Sequence, residues 1–196
     1  PALAVLAGVA VGLGFGLLNG GLVTFLNIPP FIATLGTLGI AQGLSLVVTE
    51  GEIVTGIPAA IQGVYSGTLA GVPIPILIAV VAYAATHLLL YRTRFGIAVF
   101  ALGGNREALR LAGVSDRAML VAVYAFGGLM AGFAALLMTA RLNSAHPTAG
   151  IGLEFDAIAA VAVGGTSFER GNGWLLGSLL GVLAVGVLRN GLNLLA

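Results

Sequence analysis

The sequence contains no cysteine and no lysine; its eight basic residues are all arginine, set against seven acidic ones. Without cysteine there are no disulfides, thiolate nucleophiles or Cys-ligated zinc and iron–sulfur sites. Without lysine there is no Walker A phosphate loop and no lysine Schiff base, so the chain does not bind ATP in that way. Histidine is nearly absent as well, with only His87 and His146, far apart in sequence, which argues against a His-based metal centre. A net charge of +1 lacks the dense basic face that nucleic acid requires.

Charge of either sign is the largest deficit. Only 8% of the 196 residues are charged, against about 25% in a soluble domain. Residues 1–49, 53–91 and 118–140 carry no Asp, Glu, Lys or Arg, and each run exceeds the ~18–20 apolar residues that cross a bilayer. With 59% apolar residues, the chain reads as an integral membrane protein seated in a lipid bilayer. Its fold class is all-α, a polytopic helix bundle. Residue 1 is proline and the apolar run starts at once, without a basic n-region. Residues 1–18 therefore read as a span and not as a signal peptide, and the chain reads as an interior piece of a longer membrane protein.

Six hydrophobic stretches separate along the single domain 1–196: about Ala2–Leu18, Phe31–Val48, Ile74–Tyr91, Met119–Ala140, Ala157–Val163 and Trp174–Leu188, the last continuing to Leu195. The first is followed by Asn19-Gly20-Gly21 and a link ending at Pro29-Pro30. The fifth, at ten to fourteen residues with its flanks, rises only ~15–20 Å as a helix, short of a ~30 Å hydrocarbon core. It reads as a half-helix buried among other helices, giving about five full spans plus one short one. Segment 92–118 holds Arg92, Arg94, Arg106, Arg110 and Arg117 against Glu107 and Asp116, whereas segment 49–73 holds Glu50 and Glu52 and no basic residue. The positive-inside rule puts 92–118 in the cytoplasm and 49–73 outside. Residues 19–30 then fall inside and Pro1 outside. If the short fifth stretch returns the chain inward, 164–173 is cytoplasmic and the last span runs outward; otherwise that span runs inward.

Glycine, by contrast, is abundant, with 31 residues. Gly8, Gly12, Gly16 and Gly20 repeat every four residues, as do Gly173, Gly177 and Gly181; Gly39/Gly43 and Gly128/Gly132 are further pairs. In lipid, such small-xxx-small faces let helix backbones approach closely, so these stripes read as helix–helix contacts.

One polar segment carries most of the functional information. In Gly103-Gly104-Asn105-Arg106-Glu107-Ala108-Leu109-Arg110-Leu111-Ala112-Gly113, Asn105 can cap a helix that Gly113 stops. Leu109 and Ala112 would share one face, Arg106 and Arg110 another. The helix either lies on the headgroups, drawn by its arginines, or docks a cytoplasmic partner.

Several blocks in order point to a family. Pro29-Pro30-Phe31-Ile32-Ala33-Thr34-Leu35-Gly36-Thr37, Arg94-Phe95-Gly96, Gly103 through Ala108, Ala112-Gly113, Thr139 through Gly150, Glu154 through Val161, Gly164-Gly165-Thr166-Ser167 and Asn190 through Leu195 resemble the permeases of ribose- and xylose-type ABC importers. The resemblance runs from roughly residue 27 to the end and departs at His146, where glutamine is common in the family. It implies a permease subunit of the bacterial inner (cytoplasmic) membrane that is not itself an enzyme and uses no cofactor. The partners it implies are cytoplasmic ABC ATPase subunits, a periplasmic or lipid-anchored sugar-binding protein and a second permease copy. It also implies that Gly103, Gly104, Asn105, Arg106, Glu107, Ala108, Arg110, Ala112 and Gly113 form the coupling helix seated on the ATPase, and that family members carry further spans at both ends.

Other polar residues have two readings each. Thr34, Thr37, Gln42 and Asn143 either line a polar path or bond helix to helix. Glu154 and Asp156 begin the short fifth helix, where its dipole favours acids; a proton relay is the competing role. Arg141 can snorkel to the interface, and Arg189 is either a bundle-interior charge or another snorkeller. His87 reads as an interfacial or hydrogen-bonded residue. The glycine-rich loop 164–173 lacks the lysine and spacing of a phosphate loop and reads as a turn. An ion-coupled secondary transporter, the rival class, would need Glu154 or Asp156 as its ionisable group; a branched-chain amino-acid permease is the near neighbour within the ABC class.

Overall fold

Twenty-four consecutive residues, Ala2–Phe25, form one unbroken helix, α1, in the computed structural model. The structure describes residues 2–168 and 171–195; Pro1, expected on the outer side, and Glu169, Arg170 and Ala196 lie outside the described residues. The remaining helices are α2 (Pro30–Thr49), α3 (Ala59–Ser66), α4 (Ile74–Arg92), α5 (Arg94–Gly104), α6 (Arg106–Leu111), α7 (Asp116–Leu142), α8 (Leu153–Val163) and α9 (Leu175–Leu195). A two-stranded antiparallel hairpin, β1 (Thr68–Leu69) and β2 (Val72–Pro73), turns through Ala70 and Gly71. Five helices, α1, α2, α4, α7 and α9, are long and apolar enough to cross a membrane. The chain is a multi-pass, all-α membrane protein.

The described residues divide into two compact units, one built from the segments before His87 together with Ser115–Ala149, the other from His87–Val114 and the segment from Gly150 onward. In the first unit α1 and α7 pack antiparallel along the glycine stripe. A Cβ on Gly12 would stand 2.5 Å from the Gly128 carbonyl oxygen, one on Gly16 2.5 Å from the Tyr124 carbonyl oxygen, and one on Gly20 3.0 Å from Val121 Cα. Only glycine allows two backbones so close, which is how helices gain packing energy where lipid supplies no hydrophobic drive. The same seam explains why α1 does not break at Asn19-Gly20-Gly21, as expected from the sequence. Gly20 is part of the contact, and the Asn19 side chain accepts a hydrogen bond from Thr37 of α2 at 2.7 Å. A break there would also leave backbone groups unpaired in lipid.

Segment 49–73 is more ordered than its polarity indicates. Pro58 precedes α3, the Gln62 side chain donates to the Ile57 carbonyl at 2.8 Å, and the hairpin follows. Val54 and Ala145 exchange backbone hydrogen bonds of 3.0 and 2.9 Å, so the segment after α2 and the segment after α7 lie at one end of the first unit.

In the second unit α8 and α9 are antiparallel and joined by a second glycine seam. A Cβ on Gly164 would stand 2.5 Å from the Gly177 carbonyl oxygen, and one on Gly181 would collide with the Ala160 carbonyl. The half-helix starts at Leu153, with Glu154 and Asp156 in its first turn as expected, because Gly152 (φ 90°) turns the chain into it and its own Glu154 accepts from the Gly152 N–H at 2.9 Å. At eleven residues it rises only ~16 Å.

Candidate partner-docking site

The docking segment begins at the α4–α5 corner. Thr93 donates its hydroxyl to the Leu89 carbonyl at 2.6 Å and accepts from the Gly96 N–H at 3.4 Å, closing one helix and opening the next. A Cβ at Gly96 would run into the Leu90 carbonyl, so the glycine of the Arg94-Phe95-Gly96 block is a steric requirement of this corner. Expected as loop, residues 94–104 are instead helical, burying Ala98 and Leu102 and leaving Ile97 exposed.

Asn105 then serves two helices. Its N–H donates to the Ala101 carbonyl at 2.8 Å, ending α5, and its side-chain oxygen accepts from the Ala108 N–H at 3.0 Å, starting α6. At the other end, Gly113 donates to the Arg110 carbonyl at 2.9 Å and Val114 to the Leu109 carbonyl at 3.2 Å. Gly113 takes φ 76° there, a left-handed conformation open to glycine at little cost. Ser115 at once caps α7 through the Ala118 N–H at 3.3 Å. Asn105, Gly113 and Ser115 thus provide three caps in eleven residues.

The two turns of α6 face one residue down. Leu109 is buried at 4% exposure, while Arg106, Glu107, Ala108 and Arg110 are exposed. Ala112, expected to share the face of Leu109, lies instead at the C-cap and is exposed. Leu111 is 82% exposed and was absent from the expected docking set. The signal for it was present: a residue two positions from a buried anchor points ~200° away on a helix. Glu107 in the first turn and Arg110 in the last both suit the helix dipole. The tip thus offers an apolar side chain ringed by charges, an arrangement suited to a protein groove.

The base of this segment is tied to the α8–α9 turn. A Cβ on Gly103 would stand 2.6 Å from Gly171 Cα, and the Leu175 N–H at the start of α9 donates to the Tyr91 hydroxyl at 3.1 Å. Tyr91 packs its ring between His87 (centroids 4.7 Å apart) and Phe100 (5.9 Å). A cavity of about 290 Å³ lies beside them, bordered by Thr166, Asn172 and Ser178. The 164–173 turn, apart from residues 169 and 170, which lie outside the described residues, therefore packs against the base of α5 in this unit.

The expected path residues are not brought together. Thr37 is buried against Asn19, and Thr34, one turn earlier on α2, donates to the Pro30 carbonyl at 2.9 Å. Gln42 is half-buried farther along α2, and Asn143 is exposed beyond α7 at φ 53°. Counting along α7 from the level of Gly20 and Val121, Asn143 lies ~33 Å away, at the opposite end of the unit. Asp156 forms an ion pair with Arg189 between α8 and α9, a pairing that neither reading of Arg189 included. Among the described residues no cluster of three His, Cys, Asp or Glu side chains could hold a metal.

A family model described as branched-chain amino acid transport system / permease component matches residues 1–196. The chain belongs to this family. It is 42% identical over 197 residues to the ribose import permease protein of Bacillus subtilis, covering 100% of this chain and 61% of the relative. It is 36% identical over 192 residues to the D-allose transport system permease protein of Escherichia coli, covering 98% and 59%. To a probable ABC transporter permease protein of the same organism it is 40% identical over 169 residues, covering 86% and 51%. The chain thus spans about three fifths of the length of the ribose permease that it matches. No solved structure matches it.

Proposed function

We propose that the chain is the membrane-spanning part of an ATP-driven importer for a monosaccharide such as ribose or xylose, or a similar polar solute. The observation that carries this reading is the 42% identity to a ribose import permease along the entire chain. The family description names branched-chain amino acids, but the relatives named for a solute at this level of identity are named for ribose, allose and autoinducer 2, and the sugar reading follows the ribose and allose permeases. Neither candidate for ion coupling is left over: Glu154 bonds the Gly152 N–H and Asp156 pairs with Arg189.

In this reading the chain is not an enzyme. ATP hydrolysis belongs to two cytoplasmic ATPase subunits, solute selection belongs to an external binding protein, and a second permease copy completes the path. Segment 92–118 faces the cytoplasm, and 49–73 faces out. The capped loop from Gly103 to Gly113 seats in the ATPase, with Arg106, Glu107 and Arg110 on its rim and Leu111 as the apolar anchor. ATP-driven approach of the two ATPases moves the loop, and the rigid caps pass the displacement to α5 and α7. Thr34 and Gln42 on α2 and Asn143 beyond α7 serve the two ends of the path, while Thr37 holds α2 against α1 through Asn19.

Copurification of the full-length protein from its native membranes, with the bound proteins identified by mass spectrometry, tests this. A Walker-containing ATPase in the complex, together with ATP-dependent uptake of labelled ribose or xylose, is the expected result. A protein that stands alone and drives uptake from an ion gradient would overturn it.

A further inference from the structure

The half-helix α8 is held to α9 in two different ways at its two ends. Near its C-terminus the hold is steric: Gly164 meets Gly177 and the Ala160 carbonyl meets Gly181, backbone to backbone. Toward the N-terminus the seam has no glycine left. Continuing the antiparallel register brings Asp156 level with Val185, so Arg189 lies one turn farther along α9, ~6 Å. The long arginine side chain spans that turn and pairs with the Asp156 carboxylate. Asp156 also stands in the first turn of α8, where the backbone N–H groups favour a negative charge. Arg189 sits fourteen residues into α9, ~21 Å from the helix start. At that depth in a bilayer an unpaired arginine or aspartate is costly. The two charges make each other tolerable, and they do so at the end of α8 that backbone packing leaves unheld.

We infer that Arg189 is a positioning residue: its ion pair with Asp156 clamps the N-terminal end of α8, so that α8 and α9 travel as one hairpin through the transport cycle. The clamp rests on the importer reading for its role in transport, though its existence as a contact does not. A half-helix has too few residues to cross the bilayer and too little surface to fix its own tilt. Pinned by glycine at one end and by charge at the other, it keeps one orientation on α9 while the rest of the bundle rearranges.

Charge exchange in the full-length protein, assembled with its ATPase and binding protein, separates a specific pair from two independent residues. Arg189→Asp and Asp156→Arg each set like charges face to face, and each should lower ATP-dependent uptake per membrane-inserted protein by about tenfold or more. The double exchange restores opposite charges and should recover uptake to within about threefold of the parent. Double-exchange protein no better than either single variant would overturn the clamp. A second measurement tests the single-hairpin claim; these 196 residues contribute no cysteine of their own, and any cysteine elsewhere in the full-length protein is replaced first. Cysteines at Ala157 and Val185, bridged through two disulfides by a short bis-methanethiosulfonate with loss of two sulfinates, should leave uptake within about twofold, since the helices do not part. Inhibition on bridging that a reductant reverses would show that they do, and would end the claim. If the parent itself lacks ATP-dependent uptake, the importer reading fails separately. The pair is then judged by thermal unfolding in detergent, where the double exchange must regain the midpoint that the single reversals lose.

Discussion

Gly12 of α1 and Gly128 of α7 meet backbone to backbone: a Cβ on the first would stand 2.5 Å from the carbonyl oxygen of the second. This contact sits mid-way along the stripe from Gly8 to Gly20, so a side chain there must push the two helices apart over several turns. Gly12→Leu and Gly128→Leu are each expected to cost ~1–3 kcal/mol or more, the range for overpacking a tight contact. The thermal midpoint of the full-length protein in detergent measures this. Gly21→Leu, where nothing lies within 4 Å of the new carbon, should not lower the midpoint, since leucine is the better helix former. Equal effects at Gly12 and Gly21 would refute the seam.

The docking tip yields a second expectation. Leu111→Asp removes the exposed apolar side chain without touching the buried Leu109, and should cut ATPase recovered in copurification by about tenfold, in the range of an interface anchor. Glu107→Arg should weaken docking less, because rim charges contribute less than buried anchors. Permease abundance in the membrane is the control. Undiminished ATPase recovery with Leu111→Asp would remove α6 from the interface.

Asn105 can be tested apart from its neighbours. Asn105→Ala deletes the oxygen that accepts from Ala108 and should destabilise α6 by ~1 kcal/mol. Asn105→Asp or Asn105→Ser, which keep an acceptor, should restore coupling. The readout is solute transported per ATP hydrolysed, and loss of the ratio with basal ATPase retained is the expected signature. A normal ratio in the alanine variant would mean the cap is dispensable.

Sidedness follows from thiols introduced into the full-length protein after any cysteine outside these 196 residues is replaced. Glu52→Cys should react with a membrane-impermeant maleimide in intact cells, whereas Glu107→Cys should react only after permeabilisation. The opposite pattern would invert the topology drawn from the arginine distribution.

Much of this molecule was legible before any tertiary contact was known. The spans followed from runs without charge, and α6 from Asn105 and Gly113, whose capping chemistry acts within four residues of chain. The role of the Gly8–Gly20 stripe and of Gly177 and Gly181 was legible too, since a small face in lipid implies a close neighbour, but Gly39 and Gly43 have nothing within 4 Å and Gly173 meets only the Thr166 side chain before α9 begins. Other features were misread because the deciding groups lie far away. Asn19-Gly20-Gly21 looks like a break, yet Val121 and Thr37 hold it inside a helix. Residues 94–104 fall within the arginine-rich segment 92–118 and carry no helix signal of their own beyond it, but the Thr93 cap and the Gly96 contact on Leu90 go with a helix there.

By itself, the sequence determined that the chain lives in a bilayer, how many long helices cross it, and where α6 begins and ends. These are local matters of transfer free energy and backbone hydrogen bonding. Only the tertiary structure decided that the stripe of α1 faces Gly128 and Gly132, that Leu109 points in while Leu111 points out, and that Asp156 finds Arg189. A glycine stripe or a lone arginine calls for a partner without naming it. The partner is chosen when helices distant in sequence compete for the same neighbours in space.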